Sequence, residues 1–313
     1  MILSTMELRR IQDRKAMMNG PSLNRESPLC GDDIRIRRMR PGDIAAGMRL
    51  KSIAGWNQTE RDWKLFLDLN PDGCFVAVCD DGVVGTVTTI IYENRIAWIG
   101  MMLVDPVYRR RGIATRLMNH AVAWLGPDIT VKLDATPLGK TVYDRLGFVD
   151  EYTLCRISAD SGATDAVHPT GISPVSSDDL EALISLDRTA FGAGRCAVLE
   201  SLFRQSSGLA WKCTRNGLLT GYCMGRPGTD FRQIGPVIAG GTDDAVGLAL
   251  TALNGIAGQA AVIDAPAGRN DFLRRLYSCG FVEQRRLIRM YRGNNDNPGK
   301  PDMMFAIAGP ELG

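Results

Sequence analysis

Apolar and polar residues alternate in a way that predicts an ordered series of strands and helices after a polar opening stretch. An apolar run over residues 96–104 is typical of a buried strand. It ends at Asp105-Pro106, through which a central strand cannot continue. Residues 114–125 carry apolar side chains at helical spacing, and Gly126 marks the end of that helix. The pattern therefore predicts a strand, a basic turn and a helix in direct succession.

The remaining elements of the first half follow from the same patterns. Strands are predicted over residues 34–39, 74–79, 83–92 and 131–135, and helices over residues 44–53, 59–69 and 138–146. The turn Asp80-Asp81-Gly82 joins two of these strands into a hairpin. Gly147-Phe148 follows the last helix and provides its stop signal.

The same order of elements then returns. The second half contains predicted strands over residues 210–214, 218–224, 234–239 and 261–264, a helix over residues 245–256, and a helix that begins at Asp178-Asp179. Gly217 stands 135 residues after Gly82, and Gly280 stands 133 residues after Gly147. A repeat of this length indicates tandem domains rather than a solenoid.

The two copies and the polar stretches around them divide the chain into four parts. We expect a flexible N-terminal extension over residues 1–32, a first domain over residues 33–157, a polar linker with Gly and Pro over residues 158–171, and a second domain over residues 172–313.

Composition excludes several classes of function. The net charge of +2 in 313 residues gives no case for nucleic acid or a membrane surface as a partner. No apolar run reaches the ~20 residues that span a bilayer, and no signal peptide precedes the first domain. The eight cysteines form no Cys-x-x-Cys pair, which favours reduced thiols and a cytoplasmic protein. With only two histidines, far apart in sequence, we expect no metal.

The basic turn after residue 104 is the strongest candidate for chemistry. Unpaired backbone N–H groups in the first turn of a helix, together with the helix dipole, favour a bound anion. Gly112 allows close approach of the backbone, and three arginines, Arg109, Arg110 and Arg111, add charge-assisted hydrogen bonds. A phosphate ester, specifically a pyrophosphate, is the expected ligand. The alternative is a solvated basic loop.

This turn resembles motif A of the GNAT superfamily of acyl-CoA-dependent N-acyltransferases, whose pattern falls here on Arg109, Gly112 and Ala114. The resemblance implies acetyl-CoA as co-substrate, with its pantetheine arm paired to a strand that splays from its neighbour. The residues implied to bind it are Met102, Leu103, Val104, Arg109, Arg110, Arg111, Gly112, Ile113, Ala114 and Thr115.

A second match lies downstream, where Tyr143 stands four residues before Gly147-Phe148, as in motif B of the family. The resemblance implies that Tyr143 is catalytic and donates a hydrogen bond to the departing sulfur. A core tyrosine is the alternative. The family often has an asparagine seven residues earlier that contacts the pantetheine. Thr136 occupies that position here and is our candidate for the contact.

The second copy lacks these features. Its helix begins with Asp243 and Asp244, which would repel a pyrophosphate, and Leu276 stands where the tyrosine would be. We therefore expect one cofactor site, in the first domain. The arrangement is similar to that of tandem-GNAT proteins with a YitH-type C-terminal half. The resemblance implies a mixed α/β fold of two GNAT-like domains, each a mostly antiparallel mixed sheet flanked by helices.

The general base and the acceptor site remain open at this stage. The motif A strand carries no carboxylate, so Glu93, Glu60 or Asp62 could act through water, or a weakly basic arylamine could need no strong base. Candidates for binding the acceptor are Trp56, Trp63, Glu93 and Asp187, with core packing or a scaffold role as their alternatives.

The resulting hypothesis is an enzyme that transfers an acetyl or short acyl group from CoA to a primary amine of a small molecule, by direct attack. A protein lysine or N-terminal acetyltransferase, and a non-catalytic acyl-CoA sensor, are the alternatives. We expect a monomer or homodimer.

Overall fold

The computed structural model describes residues 34–159, 170–206, 208–256 and 258–313. The predicted N-terminal extension and most of the predicted linker therefore lie outside the described residues. We call residues 34–159 the N-terminal half and residues 170–313 the C-terminal half.

The described residues form thirteen strands and eight helices. The strands are β1 (Arg35–Arg38), β2 (Phe75–Cys79), β3 (Gly82–Tyr92), β4 (Ile96–Val104), β5 (Thr130–Ala135), β6 (Val149–Ala159), β7 (Ile172–Pro174), β8 (Trp211–Arg215), β9 (Leu218–Arg226), β10 (Arg232–Ala239), β11 (Ala261–Pro266), β12 (Val282–Arg292) and β13 (Met304–Ala306). The helices are α1 (Ile44–Ile53), α2 (Glu60–Leu69), α3 (Ile113–Leu125), α4 (Pro137–Arg145), α5 (Leu180–Phe191), α6 (Cys196–Gln205), α7 (Thr242–Asn254) and α8 (Asn270–Ser278).

All strands belong to one mixed sheet that runs through both halves. Its order is β1-β2-β3-β4-β5-β12-β6-β11-β10-β9-β8-β7, and β13 pairs with β10. Among the described strands, β4 with β5 and β10 with β11 are parallel, and the other pairs are antiparallel. The predicted fold class, a mostly antiparallel mixed sheet flanked by helices, is confirmed.

The two halves exchange their last strands at the centre of this sheet. β12 of the C-terminal half pairs with β5, and β6 of the N-terminal half pairs with β11. The exchanged strands β6 and β12 also pair with each other, in antiparallel fashion. β6 continues to Ala159, two residues beyond the expected end of the first domain. Each half therefore completes the sheet of the other.

Two buried ion pairs link the exchanged strands to their hosts. Arg289 of β12 donates two hydrogen bonds of 2.9 Å to Asp134 of β5. Arg156 of β6 donates two of 2.7 Å to Asp264 of β11. All four side chains are nearly inaccessible. Because removal of one partner leaves a buried charge unpaired, these pairs hold the two halves in a single arrangement.

The helices cover the sheet because their apolar faces need burial. α3 turns Ile113, Leu117, Met118 and Ala121 toward the strands, and the equivalent helix α7 is buried along most of its length. The predicted bounds of β4 and α1 are those observed, and the helix predicted over residues 245–256 starts earlier, at Thr242. The prediction did not include the exchanged strands β6 and β12, nor β7, β13, α6 and α8.

Three further observations bear on the expectations from composition. Within the described ranges, no helix has the length and apolar character needed to cross a membrane. Nor do three or more His, Cys, Asp or Glu side chains of these ranges gather where they could hold a metal ion. Six described cysteines are free thiols, but Cys79 takes part in a disulfide, so the expectation of reduced thiols is wrong at that position.

Candidate active site

The site begins where β4 separates from β5. These strands pair only over Ile96–Trp98 with Thr130–Lys132, although β4 continues to Val104. On its other side, β4 remains paired with β3 as far as Val104. The second part of β4 therefore presents a backbone edge that β5 does not cover.

A β-bulge turns this edge. Thr86 is opposite Leu103 and Thr88 is opposite Gly100, so two residues of β4, Met101 and Met102, face one residue of β3. Met101 adopts a φ of 46°, and the Thr86 hydroxyl donates a 2.7 Å hydrogen bond to its carbonyl oxygen. Bulges re-aim the strand at such places. The backbone of β4 is thereby directed into the gap beside β5.

The turn after β4 leads directly into the uncapped N-terminus of α3. Gly112, the N-cap residue, has a φ of 74° and provides no side-chain cap. Asp105 fixes the start of the turn, since it accepts hydrogen bonds from Val107 N–H (3.1 Å) and Arg49 (2.6 Å). The N–H groups of the first helical turn are therefore open to an anion.

Three consecutive arginines surround this helix terminus. Arg109, Arg110 and Arg111 are exposed, and none forms an ion pair with a described residue. Arg110 has a φ of 64°, and the Arg111 guanidinium lies over the Tyr108 ring, 5.4 Å from its centroid. Positive charge is thus concentrated around the N-terminus of α3 without carboxylates to neutralise it.

α4 places Tyr143 on the opposite side of the gap. Its N-cap, Thr136, accepts a 3.1 Å hydrogen bond from Gly139 N–H, and Pro137 occupies the first helical position. The Tyr143 ring packs near Gly139 and Phe148. Its hydroxyl makes no hydrogen bond to any described residue, and burial raises the pKa of Tyr143 to about 12.

These elements line one partly open cleft. Both halves contribute to it. The lining residues are Trp56, Gln58, Ile99, Gly100, Met101, Met102, Leu133, Asp134, Thr136, Tyr143, Arg156, Arg285, Leu287, Pro310 and Glu311.

A segment from the C-terminal half, residues 307–313, forms the wall beside β4. Trp98 Nε1 donates a 2.9 Å hydrogen bond to the Pro310 carbonyl, and the Tyr92 hydroxyl donates one of 2.8 Å to the Leu312 carbonyl. Arg195 donates a hydrogen bond to the Gly313 carbonyl and two to the buried carboxylate of Asp187. The 307–313 segment is therefore fixed along its length.

Glu311 of this segment lies beside β4 with a constrained carboxylate. Gln58 Nε2 donates a 2.7 Å hydrogen bond to Glu311 Oε2, and Arg226 forms an ion pair with Oε1. Arg226 also pairs with Asp62, at 2.6 Å, and all three charged side chains are nearly inaccessible. Two carboxylates surround one guanidinium, so the cluster carries a net charge of −1 when all three groups are ionised.

Two family models match the chain, one in each half. The model described as the acetyltransferase (GNAT) family matches residues 48–148. The model described as an acetyltransferase (GNAT) domain matches residues 183–306. The chain belongs to the GNAT family. It carries two GNAT domains in tandem, as the resemblance and the duplicated pattern predicted.

Relatives and solved structures agree with this assignment. The chain is 27% identical, over 82% of its length and 87% of the relative's, to holothin acyltransferase of Pseudoalteromonas sp. (strain SANK 73390). It is 25% identical, over 76% of its length and 84% of the relative's, to the uncharacterized N-acetyltransferase YitH of Bacillus subtilis (strain 168). A crystal structure from Pyrococcus horikoshii, described as an acetyltransferase, superposes with a TM-score of 0.76 at 25% identity, over 90% of this chain and 96% of that one.

The C-terminal GNAT domain has its equivalent gap filled. β10 and β11 pair only at Arg232–Gln233 with Ala261–Val262, much as β4 and β5 pair only at their start. Beyond that point β13 lies against β10, and Ile307 N–H donates a 3.0 Å hydrogen bond to the Asp264 carbonyl of β11. The chain itself thus occupies the space that is open in the N-terminal GNAT domain.

The structure brings some of the predicted site residues together and leaves others elsewhere. Trp56, Met102, Thr136 and Tyr143 line the cleft. Trp63 is fully buried beneath Gly47 and edge-to-face with Phe66. Glu93 forms a surface ion pair with Arg188, and Asp187 is buried against Arg195.

The carboxylates considered as bases from the sequence lie outside the cleft lining. Glu60 forms an exposed ion pair with Lys64, and Asp62 caps α2 through Thr59. Sequence reasoning did not identify Glu311 or Arg285 as site residues. The sequence around Glu311 indicates no reaction by itself.

Proposed function

We propose that the protein transfers an acetyl or other short acyl group from acyl-CoA to the primary amine of a small molecule, in the cleft of the N-terminal GNAT domain. One observation carries this proposal. The unpaired stretch of β4 and Tyr143 line the same cleft, and β4 leads on through the basic turn to the uncapped N-terminus of α3.

The chain's own residues fit the parts of acetyl-CoA. The first turn of α3, with Gly112 and the three arginines, would hold the pyrophosphate, and the open edge at Met102, Leu103 and Val104 would pair with the pantetheine arm. Ile113, Ala114, Thr115 and Thr136 complete the proposed set. In the C-terminal domain, β13 and the acidic start of α7 oppose the same ligand, so we propose one site per chain.

When bound, acetyl-CoA supplies an acyl group that is activated as a thioester. A free N–H of β4 near the bulge would hold the carbonyl oxygen as negative charge develops on it. Loss of one such donor typically costs about 3 kcal/mol in barrier height. The attacking amine reacts directly in this family, so the proposal requires no catalytic cysteine.

Tyr143 acts as the donor to the leaving sulfur. Its raised pKa, about 12, keeps the proton on Oη at neutral pH. Because a thiol has a pKa of about 8.5, full proton transfer from the tyrosine to a thiolate is uphill. The hydroxyl therefore stabilises the thiolate through a hydrogen bond. Removal of such a group typically costs on the order of 10²-fold or more in rate.

Glu311 is our candidate for the proton acceptor. Burial raises the pKa of Glu311 above its usual value, although Arg226 has the opposite effect. The raised pKa makes the Glu311 carboxylate a stronger base. Each carboxylate oxygen accepts one hydrogen bond from the protein and can accept another. Since Asp62 already pairs with Arg226, the surplus negative charge is available to an amine in the cleft.

The shape of the cleft supports a small acceptor. Residues of the C-terminal domain, including Arg285 and Glu311, wall the space in which an acceptor would lie, whereas a protein substrate would need an open groove. The relative from Pseudoalteromonas is named for one acceptor, holothin.

The test compares wild type with Tyr143→Phe in acetyl-CoA binding and in acetyl transfer to a panel of small amines. We expect the variant to bind acetyl-CoA as wild type does and to lose turnover about 10²-fold. Tight binding with no turnover by wild type on any amine would instead support a sensor.

A further inference from the structure

Arg285 of β12 is an unpaired cation in the wall of the cleft. It makes no hydrogen bond or ion pair with any described residue, and its Nε is buried without a partner. The side chain is half-buried, and burial lowers the pKa of Arg285. Its guanidinium is therefore able to bind an anion that enters the cleft.

The neighbouring strands show why no described carboxylate is bonded to Arg285. Asp264, Arg156 and Arg285 occupy directly opposed positions on β11, β6 and β12. Both carboxylate oxygens of Asp264 are engaged by Arg156. The row therefore ends with two adjacent like charges, an arrangement that is unfavourable unless something compensates it.

Strand geometry directs this charge to the acceptor side of the cleft. β12 pairs with β5 only from Ile288 onward, so Arg285 and Leu287 extend beyond Ala135, where β5 ends. Arg285 and Leu287 share one face of β12, because side chains two residues apart in a strand do so, and both line the cleft. Arg285 thus lies beside the start of α4 rather than at the distant basic turn.

The charged groups around the cleft limit the charge of the anion that Arg285 can bind. The other arginines in the lining or its wall, Arg156, Arg289 and Arg226, are each matched by at least one aspartate, and the Asp62–Arg226–Glu311 cluster carries a surplus negative charge. The charge of Arg285 and the surplus charge of that cluster sum to zero, so an acceptor with one amine and one monoanionic group preserves the balance, whereas a dianionic phosphate would leave an excess of negative charge. A carboxylate also matches the planar guanidinium in two hydrogen bonds.

We infer that the acceptor is an amino acid in the broad sense, a small molecule with a primary amine and a carboxylate, and that Arg285 binds the carboxylate. This inference rests on the proposed function. It assigns the amine to the Glu311 end of the cleft and the carboxylate to Arg285. The apolar lining between them, which includes Trp56, Met101 and Leu287, suits a hydrocarbon spacer.

Matched acceptors test the inference. The series consists of amino acids with increasing numbers of carbon atoms between amine and carboxylate, plus para-(aminomethyl)benzoate, each compared with its carboxamide at saturating acetyl-CoA. We expect at least one acid to exceed its amide tenfold or more in kcat/KM. Arg285→Gln should reduce that ratio at least tenfold. Arg286→Gln, at the next residue of β12, where the side chain pairs with Glu283 on the surface, should leave it unchanged.

Stability provides a readout that needs no ligand. Arg285→Gln removes an unpaired charge, so the Tm of this variant should equal or exceed that of wild type. Arg156→Gln leaves the buried carboxylate of Asp264 without its partner and should lower Tm. A fall in Tm for Arg285→Gln comparable to that for Arg156→Gln would mean a structural role and overturn the inference.

The two proposals fail in different ways. If the protein acetylates amines but no acid in the series is preferred to its amide, the acceptor inference is wrong and the proposed function stands. If acetyl-CoA does not bind, the proposed function is wrong and the inference falls with it.

Discussion

Gly100 of β4 lies directly against Glu311, although the two residues are in different GNAT domains. A Cβ added at Gly100 would stand 2.9 Å from the Cβ of Glu311 and 3.1 Å from its Cα. Gly100 is therefore the position at which the 307–313 segment reaches β4, and the missing side chain leaves room for the backbone and Cβ of Glu311.

Gly100→Ala should reduce kcat/KM by tenfold or more. The added methyl group meets backbone atoms of residue 311, which are fixed by the segment's own hydrogen bonds and cannot move aside as a flexible side chain would. Steady-state kinetics with a small amine measures this effect. Gly268→Ala is the control, since an added Cβ there has no neighbour within 4 Å. Equal activity of the two variants would contradict the role of this contact.

Glu311→Gln should lower kcat on the order of 10²-fold, as loss of a general base does. Because the pKa of Glu311 is raised, the activity of wild type should already fall at pH values above 4.5, the usual pKa of a glutamate, as the pH is lowered. The variant should not show this fall. Acetyl-CoA affinity should stay the same. An unchanged pH profile would rule out Glu311 as the base.

The same ionisation affects stability with a defined sign. The folded state holds the Glu311 proton more tightly than the unfolded chain does, so this contribution is present below pH 4.5 and is lost as pH rises through the folded-state pKa. Denaturant titrations at several pH values should show a smaller loss of stability over this interval in Glu311→Gln than in wild type. A larger loss in the variant would contradict the raised pKa.

Arg289→Ala should destabilise the protein by about 3–5 kcal/mol, because Asp134 is then buried without its partner. Urea unfolding measures the change. Arg286→Ala removes an exposed ion pair from the same strand and should stay within about 0.5 kcal/mol. Similar small effects for both variants would mean that the buried pair does not hold the exchanged strand.

Local sequence patterns predicted many of the strands and helices, but they could not predict contacts between the two copies. The strand over residues 96–104 and the helix after Gly112 depend on periodicity and a turn, which neighbouring residues determine. The sequence showed Asp134 and Asp264 at equivalent positions of the two copies. It did not show which arginines pair with them, because duplicated strands have similar alternation and either copy can complete either sheet.

The sequence likewise predicted the site residues that belong to local motifs and missed those that come from the other half of the chain. Tyr143 and the basic turn belong to contiguous motifs, whereas Glu311 and Arg285 reach the cleft only through the strand exchange and the path of the 307–313 segment. The acidic start of α7 was a sequence signal against a second cofactor site. No sequence signal showed that β13 fills the gap between β10 and β11, since a strand of three residues has no distinctive pattern.

Calorimetric titration of the full chain with acetyl-CoA tests the central claim most directly. Three variants accompany wild type. Gly112→Glu and Gly241→Glu each place a carboxylate at the N-cap of a GNAT helix, α3 and α7 respectively, and neither added Cβ has a neighbour within 4 Å. Gly112→Ala controls for the strain of a side chain at the positive φ of Gly112 and should retain binding. We predict one site per chain, lost in Gly112→Glu and retained in Gly241→Glu. Two sites per chain, no binding by wild type, or loss of binding in Gly241→Glu alone would contradict a single active site in the N-terminal GNAT domain.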